Sequence, residues 1–413
     1  MNEQKPIAVL KFGGTSVKSI GRIQHVAEIV QERSKCGPLL VVVSAMGDTT
    51  DYLVKLAKQA SAKPDAREVD QLLAVGEQIS ITLLTMTLHS LGIKAKSLTA
   101  YQVGIFTESV HNKARIVDIK TDSLLSNLKN SDVLVVAGFQ GITEAGDLTT
   151  LGRGGSDTTA VALAAAVNAS CCDIYTDVDG IYSADPNLIE GAKLLKIVSH
   201  EEVLEMSRLG AQVIHPRAVE LARQYNVKLR VRNTFKPENE GTLITGGPNM
   251  EIYRAVSGVA MDKEQSSVAI INVPDKPGIA ATIMQTLAAE NIVIDMIMQA
   301  FHPTIGKNSI TFTVHQDDLD RTISSLNKIK AELGASEVLS DSDIAKVSLI
   351  GAGLAAQPGV AAKVFSILGQ NHINIKMIAT SEMKLTCVIS KDDAQKAAQL
   401  IHDAFELQKA VSQ

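Results

Sequence analysis

The sequence predicts an α/β sandwich followed by two smaller α+β modules of the ferredoxin-like kind. Three observations carry that expectation. From residue 6 to about 235, fully apolar strand-like runs alternate with long Ala/Leu-rich segments, the pattern of a sheet buried on both faces. Residues 235–250 are rich in turn formers, with Lys-Pro-Glu-Asn-Glu-Gly and Gly246-Gly247-Pro248, and read as a boundary. Beyond it, Asp275-Lys276-Pro277-Gly278-Ile279-Ala280-Ala281 returns as Ala356-Gln357-Pro358-Gly359-Val360-Ala361-Ala362, an offset of 81 positions from Pro277 to Pro358.

In the first part, strands are expected at 7–12, 39–44, 133–139, 173–176 and 227–231, with helices over 22–35, 72–91 and 158–169. Each later copy begins with a strand (267–273; 346–351), then the Pro-Gly turn and a helix. Asn291-Ile292-Val293-Ile294 or Asn371-His372-Ile373-Asn374 leads on to a second strand (309–315; 385–390) and a closing helix (319–333; 394–405). That order is β-α-β-β-α, a duplicated ferredoxin-like unit. The first copy has a further strand candidate at 337–340, and the second has no counterpart. A strand at 257–261 stands before the first copy without a place in it, so it is expected to complete the sheet of the second and interlock the modules. The expected domains are 1–245, 246–341 and 342–413.

A chain of 413 residues suits two to four compact units. Hydrophobic residues at 45% and charged residues at 21% match an ordinary soluble globular class. Net charge is −5, the isoelectric point is about 6.0, aromatics are 3% and Trp is absent, so nucleic acid is not an expected partner. No apolar run approaches the roughly eighteen residues needed to span a bilayer, and no export signal is visible, so no membrane partner is expected. Cys36, Cys171, Cys172 and Cys387 form no C-x-x-C pattern and suit a reduced, cytoplasmic protein.

The chemistry-bearing segments begin with Lys11-Phe12-Gly13-Gly14-Thr15-Ser16-Val17, directly after an apolar run. A buried strand ending in a cation, two glycines and two hydroxyls can hold a phosphate with backbone N–H groups and an ammonium. A tight turn beside a surface lysine would leave the same local trace. Gly152-Arg153-Gly154-Gly155-Ser156-Asp157 precedes an Ala-rich helix and offers a second anion site, with Arg153 as a planar fork for a carboxylate or phosphate. Ser44-Ala45-Met46-Gly47-Asp48-Thr49-Thr50 leaves another strand with small and hydroxyl residues. Glu77 is an acid within an otherwise mostly apolar helix. The segment 173–187, dense in acids and turns, could line a nucleotide pocket; a calcium loop is rejected because no Glu closes it at the required position.

Taken together, these segments resemble the bacterial aspartokinases over essentially the whole chain: an amino-acid-kinase-like αβα sandwich followed by two ACT modules. The residues carrying the resemblance lie in 11–17, 44–51, 76–78, 139–141, 150–159, 175–186 and the paired Pro-Gly segments. The resemblance implies phosphoryl transfer from ATP, with Mg²⁺ carried by the nucleotide and no metal site in the protein, to the side-chain carboxylate of L-aspartate, giving 4-phospho-L-aspartate. It places Lys11 on the transferring phosphate with Asp157 orienting it. Phe12, Gly13, Gly14, Ser44, Ser156, Thr176, Asp177, Tyr182, Ser183, Ala184, Asp185, Pro186 and Asn187 fall along the nucleotide. Arg153 takes the substrate α-carboxylate and Glu77 the α-ammonium, with Thr50, Gly154, Gly155 and Ser156 completing the acceptor pocket. Relatives usually carry Arg where this chain has Asn187, so a cation is missing there, with Lys193 or Lys196 in a position to compensate. An Asn187→Arg variant is expected to have the modestly lower KM for ATP in initial-rate assays; an equal or higher value would contradict this.

The ACT modules imply feedback inhibition by lysine, threonine or both in the biosynthesis of lysine, threonine and methionine. The implied effector residues are Asp275, Gly278, Ile279, Ala280, Ile294, Asp295 and Gln299 in the first copy and Asn374 and Ile375 in the second. The second copy has Gln357 for Lys276 and Lys376 for Met296, so its pocket differs. Pairing of ACT sheets implies a homodimer or higher oligomer, or a partnership with a shorter regulatory chain starting near Met250 or Met261. The competing readings are a non-catalytic amino-acid sensor and a kinase for another small acid such as glutamate.

Overall fold

The computed structural model describes residues 5–208, 213–246, 256–302, 307–354 and 357–409. Gly247, Pro248 and Met250 of the expected boundary, and Ala356 of the second Pro-Gly segment, lie outside the described residues. The chain divides into two compact units. Of the described residues, the first holds those up to Tyr182, Leu194–Arg208 and 213–246, and the second holds Ser183–Lys193 and those from 256 onward.

Strands that are apolar at every position need cover on both faces. Leu39–Val43 and Val133–Ala137 are buried throughout, and they lie inside an eight-stranded sheet. Its order is Ile197–Ser199, Thr242–Thr245, Leu229–Asn233, Cys172–Thr176, Ala8–Phe12, Leu39–Val43, Val133–Ala137, Ala95–Leu98. The first two strands are parallel to each other and opposed to the remaining six, which all run the same way. Thr242–Thr245 falls where the sequence suggests only a boundary. Gly241, at φ +71, sits so close to the Val231 carbonyl that a Cβ would come within 1.9 Å of it, and this close turn brings the strand back into the sheet. A second small sheet joins Ile116–Ile119, Ile105–Thr107, Gln140–Ile142 and Leu148–Thr150. Strands of three or four residues leave no alternating run to detect.

The Ala66–Ser90 helix is, among the described residues, long and apolar enough by length and composition to cross a bilayer, although the sequence holds no uninterrupted apolar run of that length. Half of its most apolar stretch is buried within the protein. Ile81, Leu84 and Leu88 pack with Leu10, Val41 and Val135 of the sheet. It is a core helix of the first unit.

The second unit is one six-stranded antiparallel sheet, ordered Ile294–His302, Lys307–His315, Gly258–Pro274, Glu337–Ile350, Lys384–Ile389, Met377–Thr380. The expected strands at 257–261 and 267–273 are one long strand, as are those at 337–340 and 346–351. Gly258–Asp262 pair with Ile350–Lys346, whereas Val268–Ile271 pair with Ser340–Glu337. Register shifts between Asp262 and Ser267 let the long strand bend from one half to the other. The duplication extends to the backbone: Gly278 and Gly359 cap their helices at φ 99 and 98, and Asn291 and His372 follow those helices at φ 55 and 57.

Ser183–Lys193 lies in the first expected domain by sequence but in the second unit by packing. Ala184 and Ile189 are buried with Val347, Leu349, Val364 and Ile401. Ser183 Oγ lies 3.0 Å from His402 Nε2, and Gln399 bonds both Glu190 N (2.8 Å) and Glu190 O (3.1 Å).

Candidate active site

The strand Ala8–Phe12 delivers Lys11 to the carboxyl end of the sheet, where ligands gather in open α/β folds. Lys11 Nζ lies 2.7 Å from Asp157 Oδ1, with only 11% and 12% of the two side chains exposed. Asp157 belongs to the first turn of the Gly155–Ala166 helix, where the helix dipole favours an anion. The loops after adjacent strands meet here: Ser44 N donates to Phe12 O (3.1 Å) and Gly47 N to Gly14 O (3.0 Å). A Cβ on Gly14 would stand 2.9 Å from Ala45 O, and one on Gly138 2.7 Å from Ser156 Oγ. Both glycines are required by that contact. Lys11, Gly13, Gly14, Ser44 and Ser156 therefore share one end of the sheet.

Glu77 enters from the Ala66–Ser90 helix, which approaches so closely that a Cβ on Gly76 would lie 2.8 Å from the Ala45 Cβ. Glu77 is 2% exposed. Ala45 N donates to its Oε1 at 3.0 Å, while Oε2 is buried with no partner among the described residues. Burial pushes its pKa up to about 8, against the opposing effect of the Ala45 amide. A buried carboxyl with one oxygen unused is a group prepared for a donor that is not part of the fold.

Arg153 is exposed between Gly152 and Gly154, both left-handed at φ 78 and 68. A Cβ on Gly154 would lie 2.2 Å from the His215 ring. His215 also donates its backbone N–H to Asp157 Oδ2 at 3.5 Å, and burial lowers its pKa. No local sequence signal points to His215, because it reaches the site from 58 residues away. Gly155 is buried against Phe139, and Thr50 is half-buried in the first turn of Thr49–Ala60.

Thr176, Asp177 and Tyr182 follow the Cys172–Thr176 strand. Thr176 Oγ1 bonds Asp177 Oδ1 (3.2 Å), and Tyr182 Oη donates to Asp179 Oδ2 (3.4 Å). Asn233 and Lys236 join them: Lys236 Nζ lies 3.0 Å from Asp179 Oδ2, and Asn233 Nδ2 bonds Asp179 Oδ1. Those hydrogen bonds hold the Asp179 pKa down. Asn233 and Lys236 are additions to the expected set.

Some expected residues are placed differently. The Phe12 ring is buried and stacked on Tyr175 at 4.7 Å between centroids, so it packs the core and offers no side chain to a nucleotide. Ser183 and Ala184 have their side chains in the second unit's interior, as described above, which removes them as side-chain ligands. Asp185, Pro186 and Asn187 are exposed in that same segment, where Asn187 N and Nδ2 both donate to Asp185 Oδ1 (2.9 and 3.1 Å).

In the second unit, Asp275, Gly278 and Ala280 are exposed and Ile279 half-buried about the first Pro-Gly turn, with Asn308 Nδ2 donating to Asp275 (3.0 Å). Ile294 is half-buried and Gln299 exposed on the neighbouring edge strand; Asn374 is exposed and Ile375 half-buried in the second copy. Asp295 is the correction. Its carboxylate is bonded to the buried Lys346 ammonium, which also donates to Gln265 Oε1 at 2.8 Å, so Asp295 is not an unpaired acid awaiting an effector's ammonium. Burial lowers the Lys346 pKa, and Asp295 opposes that shift. Asp295→Ala is expected to lower Tm by leaving a buried ammonium without its counter-charge, and the double variant Asp295→Ala/Lys346→Met should recover much of that loss by removing both charges; thermal scans of the two variants check this.

The amino acid kinase family model matches residues 6–233, and the ACT domain model matches 268–329 and 347–405. Aspartokinase 2 of Bacillus subtilis (strain 168) is 46% identical over 404 residues, covering 98% of each chain. The structure of E. coli aspartokinase III in complex with aspartate and ADP is similar at a TM-score of 0.80 and 26% identity, over 96% of this chain and 99% of that one. A second structure of that enzyme, in complex with lysine and aspartate, gives a TM-score of 0.79 at 26% identity, over 97% and 99%. The chain belongs to the aspartokinases, kinases that join an amino acid kinase domain to ACT domains.

Proposed function

We propose that the chain transfers the γ-phosphoryl group of ATP to the side-chain carboxylate of L-aspartate, giving 4-phospho-L-aspartate and ADP. A carboxylate oxygen attacks phosphorus while the bond to the bridging oxygen breaks, and ADP leaves with that electron pair. The acceptor is already ionised at neutral pH, so no general base is needed. The protein's task is to align two anions and to neutralise charge on the moving group. Lys11 faces that group, held in place by Asp157. Amides of Gly14 and Ser156 cradle phosphates beside Gly13, whose own N–H is donated to Tyr175 O (3.3 Å) and whose missing side chain leaves the approach open, and Thr176, Asp177 and Tyr182 border the nucleotide. Asp157 is already engaged by Lys11, so a magnesium ion would be held chiefly by phosphate oxygens and water; when bound it neutralises phosphate charge.

The observation that carries this reading is Glu77, with its unused buried oxygen beside the glycine loop. An ammonium supplies the missing donor, and Arg153 suits the α-carboxylate at the other end of the same amino acid. Complementary charge at both ends separates an amino acid from a bare dicarboxylate. The complex of the E. coli relative with aspartate and ADP supports the same pair of ligands. Its complex with lysine supports an amino-acid effector, for which the ACT domains are the proposed place. Lysine, threonine or both are the proposed inhibitors, and the step feeds lysine, threonine and methionine biosynthesis in the cytoplasm. Val293 and Ile297, 77% and 57% exposed beside an edge strand of the regulatory sheet, support pairing between chains there.

ADP release measured with aspartate, glutamate and N-acetylglutamate tests the assignment. Turnover should favour aspartate strongly over glutamate and N-acetylglutamate and fall when lysine or threonine is added. Glutamate turned over with equal kcat/KM, or no ADP with any acceptor, would overturn it.

A further inference from the structure

We infer that Asp70 is a positioning residue that holds Arg153 and Glu77 at a set separation, and so measures the length of the acceptor. This rests on the aspartate reading above and deepens it. Asp70 is fully buried on the Ala66–Ser90 helix, seven residues before Glu77. Two turns of helix put both carboxyl groups on one face, with about 10 Å between their Cα atoms.

The Asp70 carboxylate is fully occupied, and every partner lies in the segments that build the Arg153 turn. Thr150 Oγ1 donates to Oδ1 at 2.6 Å, His111 Nδ1 lies 2.8 Å from Oδ2, and Asn112 N is shared between the two oxygens at 3.2 and 3.1 Å. Thr150 stands three residues before Arg153. Ala114 N donates to Thr150 O (3.0 Å), and a Cβ on Gly152 would meet Asn112 O at 2.9 Å. Arg217 closes the same platform, donating to Leu151 O and to Ala114 O at 2.8 Å each.

Glu77 and Arg153 are therefore tied to one rigid element. The helix carries Glu77 directly, and through Asp70 it carries the strand end and loop on which Arg153 stands. Gln140 Nε2, bonded to Ala74 O at 2.6 Å, pins the same stretch of helix to the small sheet. A site that grips both ends of an amino acid selects chain length by the distance between its two grips, and loosening one grip removes binding shared by ground state and transition state, which raises KM and leaves kcat.

The test compares Asp70→Asn, Asp70→Ala and Thr150→Val in the full-length protein, by initial rates with aspartate, glutamate and ATP. Asp70→Ala should raise KM for aspartate about tenfold or more while kcat changes little and KM for ATP holds. Thr150→Val and Asp70→Asn should move KM the same way by less, Asn recovering part of the alanine loss. The ratio of kcat/KM for aspartate over glutamate should fall in all three. A cycle with Arg153→Lys should be non-additive. Should Asp70→Ala fail to fold, Thr150→Val and Asp70→Asn carry the same measurement. An unchanged KM and an unchanged aspartate/glutamate ratio in these variants, while Arg153→Lys raises KM, would overturn the role of Asp70 alone. If Arg153→Lys and Arg153→Ala also leave KM for aspartate unchanged, the aspartate reading itself fails.

Discussion

Glu77→Gln should bind aspartate ten- to a hundredfold more weakly, and be more stable at alkaline pH than the unaltered protein. The first effect follows from losing a charge-assisted hydrogen bond to an ammonium, about 1.5–3 kcal/mol. The second follows from linkage. The Glu77 pKa stands at about 8 in the folded protein against an ordinary 4.5. A carboxyl whose folded pKa is raised contributes stability that is complete below the unfolded value and is lost as pH rises through the folded one. Between roughly pH 5 and 8 the unaltered protein should lose Tm relative to the glutamine variant, which has no proton to lose there. Thermal scans across that range, beside initial rates at varied aspartate, check both halves. Loss of affinity without the pH-dependent gain in Tm would mean that Glu77 is not a neutral acid in the empty site.

Lys11→Ala should cut kcat by about 10²–10³-fold, the usual cost of deleting one preorganised electrostatic group at a reacting centre. It should also destabilise the fold, because Asp157 would be left largely buried without its counter-charge, a loss of about 3–5 kcal/mol for a broken buried pair. The two effects separate in the double variant Lys11→Ala/Asp157→Asn. Removing both charges should restore much of Tm and none of kcat. Restoration of activity together with stability would show that Lys11 acts only through the fold. Chemical denaturation and single-turnover rates on the three proteins provide the comparison.

Much of this arrangement is legible in the chain because its signals are local. Leu39–Val43 and Val133–Ala137 are uninterrupted apolar runs, and the Pro-Gly segments repeat almost residue for residue. Lys11 stands at a strand end and Asp157 at a helix start, each recognisable within ten residues. Glu77 stands out as an acid among apolar neighbours. What escapes is long-range pairing. Asp70 bonds residues 41 to 80 positions away, and Asp295 meets Lys346 across 51. Ser183–Lys193 carries turn and acid residues that suit a ligand loop, yet Ala184 and Ile189 bury themselves against Val347 and Ile401. Only the three-dimensional neighbours decide that. The small four-stranded sheet is missed for another reason: strands as short as Gln140–Ile142 and Leu148–Thr150 have no period to read.

Central to the account is a buried acid that surrenders its proton when an amino acid arrives. Calorimetry of aspartate binding in buffers of different ionisation enthalpy measures this directly. At pH 7 the unaltered protein should release close to one proton per site, falling to about half at pH 8 and less above it, and Glu77→Gln should release none near pH 7. Aspartate binding with no buffer dependence in the unaltered protein would contradict the account.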